Sequence, residues 1–137
     1  MTELRLRRSS PPVLRAAWWT LRAHSAVRSE LRRAERALAV MVRPPPRLPL
    51  AATRGVNGTL ARRRATCLER ALVLQAWLAA HGERHDIVIG VAAPGGDFQA
   101  HAWLDGLEPA DSAGPYRELT RLPPPDSGPD SAEQRPR

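Results

Sequence analysis

Between residues 13 and 42, apolar side chains recur at Leu14, Trp18, Leu21, Leu31, Ala34, Leu38 and Met41, mostly three or four positions apart, with arginines between them. That spacing follows one face of a 3.6-residue repeat and predicts one long amphipathic helix, or two with a break near His24 and Ser25. Pro44, Pro45 and Pro46 remove successive backbone donors and end it. A second segment is apolar nearly all round, through Leu68, Ala71, Leu72, Leu74, Ala76, Trp77 and Leu78. Thr66 suits its N-cap, Glu69 its first turn, and Gly82, just past His81, its left-handed stop. A helix of about four turns starting at Cys67 is therefore expected, central and buried on all sides.

Downstream the period changes from 3.6 to 2. Ile87, Val88, Ile89 and Val91 predict a strand over residues 86–93, Pro94-Gly95-Gly96-Asp97 a turn, and residues 98–104 the returning strand of a hairpin. Along that second strand Phe98, Ala100, Ala102 and Leu104 share one face, and Gln99, His101 and Trp103 the other. Gly106 opens a further turn, with residues 107–111 long enough for a short third strand. Asn57-Gly58 also reads as a turn.

These elements predict one small domain in five stretches. Residues 1–12 form a flexible basic arm, 13–43 a helical preamble, 44–65 a Pro-rich loop and basic segment, and 66–112 the helix and β-hairpin core. Residues 113–137, with six prolines among Ser, Asp and Arg, are expected to be a disordered tail. No internal repeat is present.

Composition changes this picture little. The chain carries a formal charge of +7, and all 21 basic residues are arginine. Such a balance favours acidic partners. Complete absence of lysine, beside abundant Ala, Pro and Leu, is equally what a GC-rich coding bias produces, and the arginines form no nucleic-acid-binding motif. A single cysteine excludes an internal disulfide, and no signal peptide or span of roughly 20 apolar residues occurs, so a cytoplasmic protein without a transmembrane segment is expected.

Chemistry concentrates at two positions. Cys67 at the first turn of a helix faces unpaired N–H groups and the positive end of the dipole, which can hold a thiolate. An isolated cysteine is more commonly a small buried hydrophobe. His101 alters that balance, because a buried helix packed on the hairpin brings the two together and lets imidazole take the thiol proton. His81 and His85 lie at the far end of the helix and His24 in the amphipathic segment. A carboxylate should orient the imidazole, and the candidates are Asp105, Glu108 and Asp111, with Asp111 preferred and Asp105 second. Trp103, on the His101 face, is placed to wall a groove, and Arg62, Arg63 and Arg64 either hold an acidic surface or form a solvated turn.

Cys67-Leu68-Glu69-Arg70-Ala71-Leu72 on a helix ending in His81-Gly82, followed by Ile89-Gly90-Val91 and Ala100-His101-Ala102-Trp103, resembles the transglutaminase-like cysteine peptidases of lasso-peptide biosynthesis. The likeness is to the stand-alone leader peptidase of split systems and covers roughly residues 60–112. It implies an α+β, papain/transglutaminase-like fold, with N-terminal helices and the nucleophile helix packed on a small antiparallel sheet. By the same resemblance Cys67 is the nucleophile, His101 the base and Asp111 the orienting acid. The turn after Trp103 departs from the family pattern, Leu104-Asp105-Gly106 arriving two residues early. The implied activity is removal of the leader from a ribosomally made precursor peptide. The implied partners are that precursor, a small leader-recognition protein and an ATP-dependent cyclase, with no nucleic acid, cofactor or metal. A transglutaminase-like acyltransferase with the same triad is the rival activity, and a non-catalytic basic binding protein the rival class.

Overall fold

The computed structural model describes residues 10–33, 40–107 and 116–125. Its elements run α1 (Pro11–Arg33), a 3-10 turn (Leu50–Ala52), α2 (Thr53–Arg62), α3 (Cys67–Ala80), β1 (Ile87–Ala92), a second 3-10 turn (Pro94–Gly96), β2 (Gln99–Leu104) and β3 (Arg117–Leu122). The architecture is α+β: three helices pack on a three-stranded antiparallel sheet.

α1 passes through His24 and Ser25 without a break, and residues 40–43 are not helical, so the preamble predicted over 13–43 is shorter at its C-terminal end. Ala34 and Leu38 lie outside the described residues. The buried stripe is also rotated from the predicted one, comprising Ala16, Trp19, Thr20, Ala23, His24 and Val27. Leu14, Trp18 and Met41 are exposed. Ala16 and Ala23 on the buried face, with Leu14 and Trp18 outside it, let another helix approach closely. That helix is α2, which takes residues 53–62 out of the loop and basic segment expected over 44–65.

Asn57-Gly58 is a turn only in local propensity. Ala52, Val56 and Leu60 recur four apart and bury completely against α1, and this tertiary gain keeps the segment helical. Gly55 makes the approach possible: a Cβ built there would stand 2.5 Å from the Val13 carbonyl oxygen. Thr53 Oγ1 accepts a hydrogen bond from Trp77 Nε1 at 2.9 Å and ties α2 to α3.

α3 begins and ends where its capping residues predict. Thr66 Oγ1 accepts from the Glu69 N–H, and the Glu69 carboxylate accepts from the Thr66 N–H, a complete capping box. At the other end Gly82 is left-handed (φ 79°), with Glu83 N–H bonded to Leu78 O and Gly82 N–H to Ala79 O, a Schellman stop. Nine of its residues are buried, among them Gln75, whose amide donates to His85 O (2.9 Å) and Leu122 O (3.0 Å) and so pins the approach to β1 and the end of β3 to the helix.

The sheet order is β2-β1-β3, with β1 in the middle. β1 and β2 form the predicted hairpin, with Gly90 opposite His101 and Val88 opposite Trp103. The third strand described is β3, and residues 108–111 of the expected third strand lie outside the described residues. Leu107 belongs to a turn, Asp111 lies outside the described residues, and β3 falls within the stretch expected to be a tail. Proline content misled there, because Pro123, Pro124 and Pro125 follow the strand and do not interrupt it. Leu122 enters the core, and Arg121 on the outer side makes ion pairs with Glu118 and, at 2.7 Å, Asp105.

Candidate active site

Cys67 is the first residue of α3 and is exposed, which sets it apart from the buried cysteines that serve only as packing. As the N1 residue it carries an N–H with no carbonyl one turn earlier to receive it, and so does Leu68. Such groups suit a developing negative charge.

His101 stands at the middle of β2, half-buried. The alternation of the strand sends Ala102 and Leu104 into the core and leaves His101 and Trp103 on the opposite side, as the period of two predicts. Their rings stack with centroids 5.6 Å apart, and Tyr116, just before β3, closes on both at 5.3 Å from His101 and 6.3 Å from Trp103. Gly90 on β1 makes room for this cluster. A Cβ there would meet Trp103 at 2.9 Å and Tyr116 at 3.1 Å. Nothing in the local sequence around Tyr116 marks it as a partner of His101. Its place follows from β3, which local composition conceals.

Cys67 and His101 line one cavity of about 250 Å³. Its walls are largely apolar, from Ala71, Leu74, Leu78, Leu104 and Trp103, while Thr53, Asn57 and Arg70 add polar groups at its border. The cavity therefore suits an apolar group of a bound molecule beside the thiol. Thr53 and Asn57 reach it because α2 is a helix. The loop reading of that segment left them unnoticed.

The carboxylates are divided. Asp111 and Glu108 lie outside the described residues. Asp105 is exposed in the turn after β2, where its carboxylate pairs with Arg121 and its carbonyl accepts from His85 Nδ1 at 2.9 Å. Among the described residues no carboxylate hydrogen-bonds to His101; its recorded neighbours are aromatic.

Glu69, two residues after the thiol, is buried and heavily bonded. Its Oε1 accepts from Thr66 N–H (3.0 Å) and Arg28 Nη2 (3.2 Å), its Oε2 from Arg28 Nε (3.2 Å), and His24 Nε2 lies 2.9 Å from Oε1. Burial by itself raises this carboxyl. The bonds from Arg28, His24 and the Thr66 amide overcome it and hold the group down to about 2. Arg28 is raised in return by its bonds to Glu69. The three adjacent arginines separate in function: Arg62 and Arg64 are exposed, whereas Arg63 folds back on α1.

Among the described residues no group of three metal-ligating side chains occurs, and no helix is long and apolar enough to cross a membrane. No curated protein and no solved structure matches the chain. A family model does, over residues 8–123, and it is that of the transglutaminase-like superfamily. With a helix-initial cysteine, a strand-borne histidine on the same cavity and a family match spanning all three helices and all three strands, the chain belongs to the transglutaminase-like superfamily.

Proposed function

We propose that this protein is a cysteine peptidase that removes the leader from a lasso-peptide precursor. The observation that carries the reading is the shared cavity of Cys67 and His101, within a superfamily of typically cysteine-dependent hydrolases and acyltransferases. In this mechanism His101 takes the thiol proton and the Cys67 sulfur adds to the scissile carbonyl. The oxyanion is received by first-turn N–H groups of α3. The C–N bond then breaks as His101 returns the proton to the leaving amine, and water hydrolyses the thioester to release the leader and regenerate the thiol. Asp111 is assigned the task of orienting the imidazole, by resemblance alone. In this reading a separate leader-recognition protein raises the local concentration of substrate. The freed core would then pass to an ATP-dependent cyclase.

The test is to incubate the protein with a lasso precursor and its recognition protein and to weigh the products. Free leader and core are expected, with Cys67→Ala abolishing them and His101→Ala slowing them by roughly 10²-fold or more. A product in which the acyl group is joined to an amine overturns hydrolysis in favour of acyl transfer, and cleavage undiminished in Cys67→Ala removes the thiol from the mechanism.

A further inference from the structure

His24 is fully buried in the middle of α1, and both of its ring nitrogens are engaged. Arg63 Nε lies 2.9 Å from Nδ1, and a guanidinium N–H can only donate. Nδ1 must therefore accept, which places the ring hydrogen on Nε2, aimed at Glu69 Oε1 2.9 Å away. One imidazole thus spans three segments of chain: α1, the turn leaving α2, and the first turn of α3. Two of its contacts fall on either side of the thiol, four residues before Cys67 and two after it. Arg28 braces the same arrangement, holding Glu69 with two nitrogens and approaching the Arg63 carbonyl at 3.5 Å. Arg63 is fixed further by Ser25 Oγ at 3.1 Å.

His24, with no exposed surface, and Glu69, also buried, present no opening to substrate, whereas Arg28 and Arg63 reach the surface. A hydrophobic side chain at position 24 would fill the space with no polar partners to satisfy. A histidine there, with opposite hydrogen-bonding demands on its two nitrogens, specifies where both flanks of Cys67 must stand. We propose that His24 is a positioning residue for Cys67, fixing the first turn of α3 through Glu69 and the approach from α2 through Arg63. The proposal rests on Cys67 being the nucleophile, but its structural half can be read without activity.

The experiment compares the full chain with His24→Leu, His24→Gln and Arg63→Met by amide hydrogen exchange, and by kcat and KM for leader cleavage. His24→Leu removes both ring contacts, His24→Gln retains a donor toward Glu69, and Arg63→Met breaks the second contact from a partly exposed site, so that it tests the coupling even where a core variant does not fold. Exchange at the Glu69 and Arg70 amides is expected to rise at least tenfold in the Leu and Met variants, with Trp77 to Ala80 within twofold of the parent. The Gln variant recovers most of that protection. In the same variants kcat falls at least tenfold while KM stays within twofold. An equal rise along all of α3 and β1 shows His24 to be packing alone and overturns the proposal, as does unchanged first-turn exchange in folded Arg63→Met. Failure of the parent to cleave precursor counts against the peptidase reading, and the exchange arm then decides the positioning role alone.

Discussion

Glu69 shows what a single side chain can do when its hydrogen bonds converge. Buried without partners its carboxyl would titrate high; held by Arg28, His24 and the Thr66 amide it falls from an ordinary 4.5 to about 2. A group whose folded pKa lies below its unfolded value stabilises the fold above the unfolded value and loses that contribution as pH falls through the folded one. The contribution is on the order of 3 kcal/mol at neutral pH and disappears between about pH 4.5 and 2. Urea unfolding of the parent and of Glu69→Gln at pH 7, 4 and 2.5 should therefore give a difference that shrinks steadily toward acid, and a difference independent of pH would be incompatible with this origin. Glu69 was visible in the sequence as a first-turn acid, because Thr66 and Glu69 are three apart. Its bond to His24 was not, since 45 residues separate them and only the packing of α1 on α3 brings them together.

At the scale of elements, the C-termini of α2 and α3 are built alike but from different residues. α3 stops on Gly82, whereas α2 stops on Arg64, which adopts the same left-handed backbone (φ 51°). The Ala65 N–H to Leu60 O and Arg64 N–H to Ala61 O bonds complete a Schellman motif around it. A side chain in that region costs about 1 kcal/mol that glycine does not incur. Arg64 is exposed, so Arg64→Gly should stabilise the protein by about that amount in thermal or denaturant unfolding, and a loss of stability would mean that the arginine side chain makes an interaction of its own. The same contrast explains which elements the sequence reveals. α3 and the β1–β2 hairpin carry their signals locally, in caps, glycines and an unbroken change of period. α2 carries a local signal for a turn and becomes helical through burial of Val56 and Leu60 on another helix. The buried face of α1 is likewise set by its partner, which selects Ala16 and Ala23 over Leu14 and Trp18.

For the whole molecule, the decisive correction is β3. A chain ending at residue 115 would discard only a loose tail on composition, but in the fold it removes Leu122 from the core, the Leu122 carbonyl from Gln75, and Tyr116 from His101. Such a truncation should leave a largely unfolded protein by circular dichroism at 25 °C; a folded product would show that the third strand is dispensable. The halves of the candidate site were legible to different degrees for the same reason. Cys67 and His101 each sit in a locally encoded element, and their place on one cavity follows from packing a buried helix on a hairpin. Tyr116, Thr53 and Asn57 depend on elements that exist only in the assembled domain.

The exposed Cys67 also defines how the protein meets an oxidising environment. With one thiol in the sequence, no internal bond can shelter it, and every disulfide it forms must be to a small thiol or to a second molecule. Either adduct would sit at the mouth of the cavity it shares with His101, so oxidation would obstruct the cavity while leaving the core beneath undisturbed. The same circumstance lets a probe be attached by alkylation at that one position in the unaltered chain.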